Sequence, residues 1–177
     1  MNLTDLIANA ERAKYAEIWG KQDYSSKDWK VFAEHIENTI PRGDSILDVG
    51  CGDGRLIKFL AGKGYDVYGL DITTAQIQGI KANRLFEDPI WETGLRDNAV
   101  DWVISTDVME HLPPEMVQRS IMELTRVAKK GQVHRIATFD DHGYYGHKVH
   151  LSVHPIAWWN EQFCSIIEHQ DVQILER

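Results

Sequence analysis

Cysteine is scarce in this 177-residue chain: Cys51 and Cys164 stand far apart, without metal-ligand spacing. That removes any cysteine metal site and points to a reducing, cytoplasmic compartment. No apolar run is long enough to span a membrane, and no secretory leader is visible. Runs of Lys and Arg are missing too. With a net charge of −8 and a pI near 5.4, the chain has no broad cationic face for nucleic acid. Internal repeats and low-complexity tracts are also lacking. What remains is ordinary for one compact domain: 43% hydrophobic and 26% charged residues.

The informative stretch is Ser45-Ile46-Leu47-Asp48-Val49-Gly50-Cys51-Gly52-Asp53-Gly54. An apolar strand ends in three alternating glycines, and a helical run, Arg55 to Leu60, follows. Strand, glycine turn and helix let a ligand touch bare backbone at a helix N-terminus. A second strand, Tyr65 to Leu70, then ends in Asp71, about 20 residues beyond the first glycine, where a ribose hydroxyl pair needs a carboxylate. The turn carries Asp48 and Asp53 and no cation before Arg55. It suits a cationic ligand better than a pyrophosphate.

Around this motif, strands are expected near 45–50, 65–71, 100–106 and 132–139, and helices near 54–62, 73–83, 115–129 and 155–168. A short third strand falls around Leu85-Phe86. The alternation predicts a Rossmann-like, doubly wound α/β fold: a mostly parallel sheet of six to seven strands with helices on both faces. Two helices come first. In one, Leu6, Ala10 and Ala13 share a face and Gly20 ends the run. In the other, capped by Ser25 or Ser26, Trp29, Phe32, Ala33, Ile36 and Ile40 form a stripe. We divide the chain into an N-terminal helical extension, 1–42, and a cofactor-binding domain, 43–177.

The segment from Asp48 to Gly54 resembles the first motif of class I S-adenosylmethionine-dependent methyltransferases. Asp101-Trp102-Val103-Ile104-Ser105-Thr106-Asp107-Val108-Met109-Glu110-His111-Leu112 resembles that family's fourth strand and following loop. The resemblance spans roughly residues 43 to 170 and implies the cofactor. Asp48, Gly50, Gly52, Asp53 and Gly54 would cradle its amino-acid part, with Cys51 packed inside the turn. Asp71 would hold the ribose. Asp88 would face the adenine, with Ile72 and Trp91 on the ring, and Thr106 would close the crevice. Members of the family end in an antiparallel strand pair. Here Asp171 to Glu176 supplies one strand, so either the sheet lacks a strand or a partner chain, as in a homodimer, covers the edge.

Asp107, Glu110 and His111 resemble the Glu-x-x-Glu-His set that binds a divalent cation in ubiquinone-biosynthesis O-methyltransferases. His150 stands where the small-RNA 3′-end methyltransferases place a further histidine. The Val-x-Glu-His-Leu pattern also occurs in metal-free members, which is the favoured reading. Five of eight histidines, His134, His142, His147, His150 and His154, fall in one segment, whose core from Phe139 to His150 follows the fifth strand and is rich in Asp and Tyr. Such a loop suits a hydroxylated acceptor and its proton. His111, His150 and His142 are the candidate bases, in that order. Tyr24, Tyr144, Tyr145 and Trp158 are the candidate lid or substrate contacts. The expected activity is methyl transfer to a small molecule, favouring oxygen on a sugar, a phenol or a lipid-linked metabolite. The Asn/Asp-Pro-Pro-aromatic tetrapeptide of amino-directed nucleic-acid methyltransferases is missing after the fourth strand. Two alternatives stand beside this: a cofactor-binding partner subunit without activity, and an RNA 2′-O-methyltransferase.

Overall fold

The computed structural model describes residues 2–21, 29–141 and 143–177. Six strands form one sheet: β1 (Ser45–Val49), β2 (Asp66–Asp71), β3 (Leu85–Glu87), β4 (Val100–Thr106), β5 (Ala128–Ile136) and β6 (Asp171–Glu176). The order is β3-β2-β1-β4-β5-β6, and every neighbouring pair is parallel. Strands buried on both faces need continuous apolar runs. Ile46, Leu47 and Val49 of β1 and Val103 and Ile104 of β4 are accordingly sealed from solvent. The strand order reverses between β1 and β4, and a crevice opens there at the carboxyl ends.

Among the described residues, five α-helices flank the sheet: α1 (Leu3–Gly20), α2 (Trp29–Thr39), α3 (Arg55–Gly62), α4 (Val117–Val127) and α5 (Ile156–Cys164). On one face, Phe32, Ala33, Ile36 and Ile40 of the α2 stripe pack with Leu56, Ile57 and Leu60 of α3. On the other, Ile121, Leu124 and Val127 of α4 meet Trp159 and Phe163 of α5. Each such side chain contributes about 1.5–3 kcal/mol by leaving water. The expected 1–42 extension thus holds two unlike helices. The second is part of the core. The first buries only Ala8 and Ile18 and lies across the crevice; Leu6 is 48% exposed rather than packed. Among the described residues, no helix is long and apolar enough to cross a membrane.

The helix expected over 73–83 is not formed; a single 3-10 turn, Ala82–Arg84, stands near its end. Polar side chains capture the backbone instead. Glu87 accepts from the Thr74 N–H and hydroxyl, the Gln76 amide donates to the Gly52 and Thr73 carbonyls, and Gly79 turns with φ +73°. β5 starts four residues earlier than expected because Ala128 leaves α4 already extended.

Candidate functional site

The site begins where β1 ends. Gly50, Gly52 and Gly54 take φ values of +66°, +56° and +72°, which L side chains rarely adopt. The Gly50 and Cys51 N–H groups both donate to the Leu70 carbonyl, at 2.7 and 3.1 Å. A Cβ on Gly50 would lie 2.4 Å from Val108, and one on Gly52 would lie 3.1 Å from the Trp19 ring. The turn therefore has no room for side chains. The Cys51 thiol is buried and pushed up well beyond the thiol range by burial and the nearby Asp48, so it packs rather than reacts.

Asp71 closes β2 and is 7% exposed. One carboxylate oxygen accepts from the Gly52 N–H at 2.8 Å, the other from the Thr73 N–H at 3.2 Å. Burial raises its pKa to about 6 against the pull of those donors. Asp71 therefore also fastens the glycine turn to β2, a task its sequence position does not reveal. Asp48 is buried beneath the turn, and burial, with Asp71 and Asp53 nearby, raises it well above the carboxylate range. Asp53 is not a free charge: both of its oxygens accept from the Arg55 guanidinium, at 3.0 and 2.8 Å from Nε. The turn read as suiting a cationic ligand thus has one of its two acids already paired.

Two spaces meet at this turn. One is a partly open pocket of about 650 Å³, counting space open to solvent, between Gly50, Gly52, Asp71, Ile72, Asp88, Trp91 and Val108. Its roof is Glu11, Tyr15 and Trp19 of α1, spaced four apart on one helix face. The other is a broader groove of about 1480 Å³, lined in part by Asp48, Thr106, Phe139, Tyr144 and His150. Trp19, Gly50, Gly52, Asp107 and His111 line both.

β4 delivers the histidine cluster. Asp107 takes φ +58°, uncommon for a residue with a side chain, while its N–H donates to the Arg135 carbonyl. A tight turn, Met109–His111, follows. The Glu110 carbonyl then accepts from the Leu151 and Ser152 N–H groups at 2.8 and 2.9 Å, and the Ser152 hydroxyl donates to the Leu112 carbonyl. These bonds bolt the later segment against the β4 loop, with the His111 and His150 ring centres 4.9 Å apart. His150 Nδ1 donates to the Phe139 carbonyl at 2.7 Å. A carbonyl can only accept, so neutral His150 keeps its lone pair on Nε2.

Glu110, His111 and His150 each offer a ligand atom within 4.8 Å of the others'. The Glu110 carboxyl is fully buried, and burial with the Asp107 charge raises it to about 8. Neither of its oxygens meets a well-aligned donor among the described residues. Burial and the neighbouring His150 push His111 down to about 3. The donor set fits a divalent cation, with the carbonyl-bound His150 ring oriented as ligating histidines are. Asp107 is not in this group; its carboxylate faces Arg177 at 3.4 Å and Arg135 at 4.0 Å. Of the four residues of the candidate metal set, Glu110, His111 and His150 converge and Asp107 does not.

The remaining expected contacts divide. Ile72 and Asp88 reach the partly open pocket, and Thr106 and Tyr144 the groove. Tyr145 borders neither; its hydroxyl donates to the Lys21 carbonyl at 3.4 Å. Trp158 is drawn away from both to stack on His154, ring centres 3.8 Å apart. Tyr24 and His142 lie outside the described residues. Tyr15 and Trp19, which the candidate lid set does not include, line the site, and their four-residue spacing from Glu11 is the signal that could have found them.

A family model described as a methyltransferase domain matches residues 47–136. The chain belongs to that family, the class I S-adenosylmethionine-dependent methyltransferases. Over 150 residues it is 29% identical to the ubiquinone biosynthesis O-methyltransferase of Rickettsia conorii, covering 77% of this chain and 50% of that protein. The methyltransferase domain spans about half or less, 39% to 50%, of the length of such relatives. Its fold matches the 1,6-didemethyltoxoflavin-N1-methyltransferase of Burkholderia thailandensis at a TM-score of 0.63 and 14% identity, over 81% of this chain and 67% of that one. It also matches the [4+2]-cyclase SpnF at 0.58 and 17%, over 77% and 56%. One fold thus carries unlike chemistries, and the activity must be argued from the site.

Proposed function

We propose that this methyltransferase domain holds S-adenosylmethionine in the space beneath α1 and transfers its methyl group to a hydroxyl oxygen of a small molecule in the adjoining groove. One observation carries the reading: His111 lines both spaces, so a candidate base stands where cofactor and acceptor meet. The bound cofactor supplies a methyl group on a positively charged sulfur. The Asp71 carboxylate, held by the Gly52 and Thr73 N–H groups, would accept from a ribose hydroxyl. Asp88 suits the adenine amine, and buried Asp48, once ionised, suits the amino-acid ammonium. The relatives named O-methyltransferases favour oxygen as the acceptor atom.

Bound cofactor would give up its methyl group to the acceptor oxygen and leave as the neutral thioether, and the hydroxyl hydrogen would depart as a proton. His111 Nε2 or His150 Nε2 would receive it. A second reading rests on the convergence of Glu110, His111 and His150. They would hold a divalent cation, whose charge would make the acceptor hydroxyl more acidic. Methyl-labelled cofactor, offered with a catechol and with a primary amine as probes, tests the oxygen assignment. We expect label in the catechol methyl ether. Label on the amine alone, or none on either, contradicts it. Loss of transfer with a chelator, restored by a divalent cation, selects the second reading.

A further inference from the structure

The hydroxyl of Tyr15 lies 2.8 Å from His111 Nδ1. This bond joins α1 to the turn after β4, across 96 residues of sequence. With Nδ1 occupied, the ring presents Nε2 inward, 3.9 Å from Glu110 Oε1 and beside the His150 ring. We propose that Tyr15 is a positioning residue: its oxygen accepts a hydrogen bond from His111 Nδ1–H, so that the Nε2 lone pair faces the acceptor. The proposal rests on the reading of His111 as part of the transfer site. It holds whether Nε2 takes a proton or a cation, because either needs the hydrogen on Nδ1.

The consequence is that α1 does more than roof the cofactor. The helix is held by contacts at its rim and at the site: Arg12 Nε to the Ile72 carbonyl at 3.1 Å, Trp19 against Gly52, and Glu17 to His147 at 3.1 Å. Only two of its side chains are buried. A helix so lightly embedded can leave, and when it does His111 loses its fixed orientation. The site is therefore complete only while α1 is docked, which ties acceptor chemistry to enclosure of the cofactor.

The test is Tyr15→Phe, which keeps the ring and removes the oxygen. Nitrogen-15 chemical shifts of the histidine rings in protein saturated with S-adenosylhomocysteine read the tautomer directly, with His111→Ala assigning the signal. We expect one Nδ1–H tautomer in the parent and a mixture in Tyr15→Phe. With a catechol as acceptor, kcat should fall 10–100-fold, as for other partners that orient a functional histidine, while KM for the cofactor stays unchanged. In a His111→Ala background, Tyr15→Phe should cost nothing more. An Nε2–H tautomer in the parent, or shifts unmoved by Tyr15→Phe, overturns the proposal. If the catechol is not methylated at all, the oxygen assignment falls, and the ring nitrogens still decide the role of Tyr15.

Discussion

The two walls of the crevice are built differently. The wall proposed for the cofactor is backbone and short side chains, made by one continuous stretch from Asp48 to Gly54 plus Asp71 on the neighbouring strand. The sheet fixes it: the Gly50 and Cys51 N–H groups hang from Leu70, and Gly52 from Asp71. The wall proposed for the acceptor is assembled from three distant pieces, namely Tyr15 on α1, Glu110 and His111 after β4, and His150 beyond β5. Hydrogen bonds outside the sheet ladder hold it. A wall made by the sheet tolerates loss of α1; a wall made by docking does not. Substitutions should therefore separate binding of the cofactor from turnover.

The largest separation should come from the histidine. His111→Ala should lower turnover by roughly 10²–10⁴-fold if it takes the acceptor's proton, while affinity for S-adenosylhomocysteine stays near the parent value. Steady-state rates set beside calorimetric affinities check this. A matching fall in affinity would mean that the walls are not separable.

Asp71→Asn should show the opposite profile, weakening cofactor product by on the order of 1.5–3 kcal/mol, the range for hydrogen bonds to a charged group. The same substitution should change the pH dependence of the unliganded protein. Folding raises the Asp71 pKa from 3.8 to about 6, which disfavours the ionised form. The associated stability is fully present below 3.8 and lost as pH rises toward 6, a cost of roughly 3 kcal/mol at neutral pH. Relative to the parent, Asp71→Asn should therefore gain stability between pH 4 and pH 7 in urea unfolding. A difference that is flat with pH would contradict the burial argument.

The smallest effect is expected at the rim. Glu17 and His147 pair at 3.1 Å with side chains 47% and 33% exposed. Such pairs contribute about 0.2–1 kcal/mol. His147→Ala should speed release of S-adenosylhomocysteine by no more than about fivefold, read by stopped-flow fluorescence. A much larger change would make this pair, rather than Tyr15 and Trp19, the main hold on α1.

The same division governs how much was legible beforehand. The glycine turn and Asp71 could be read because strand, turn and helix are local in sequence. The helix expected after β2 failed because Thr74, Gln76 and Glu87 spend their side chains on backbone groups, a contest invisible to hydrophobic spacing. The Asp53–Arg55 pair is only two residues apart, but spacing alone does not say that Arg55 folds back onto Asp53. His150 is offered by family likeness and by its place in the histidine-rich segment, and neither says that it meets His111. What brings it to His111 is the pair of bonds from Leu151 and Ser152 to one carbonyl, which no local pattern announces. Trp158 was misplaced because helical spacing does not say whether a half-buried ring turns to the crevice or to a neighbour such as His154.

The most direct test of the cofactor wall is calorimetric titration of the parent and of Gly52→Val with S-adenosylhomocysteine. A branched side chain at Gly52, where φ is +56° and the Trp19 ring stands 3.1 Å from a Cβ, strains the turn and fills the cradle. The account predicts saturable binding to the parent and none to the variant, with parent unfolding shifted by about 2.7 kcal/mol at one hundred times the dissociation constant. NAD should neither bind nor stabilise. Equal binding by both proteins, or no binding by the parent at millimolar ligand, would contradict it.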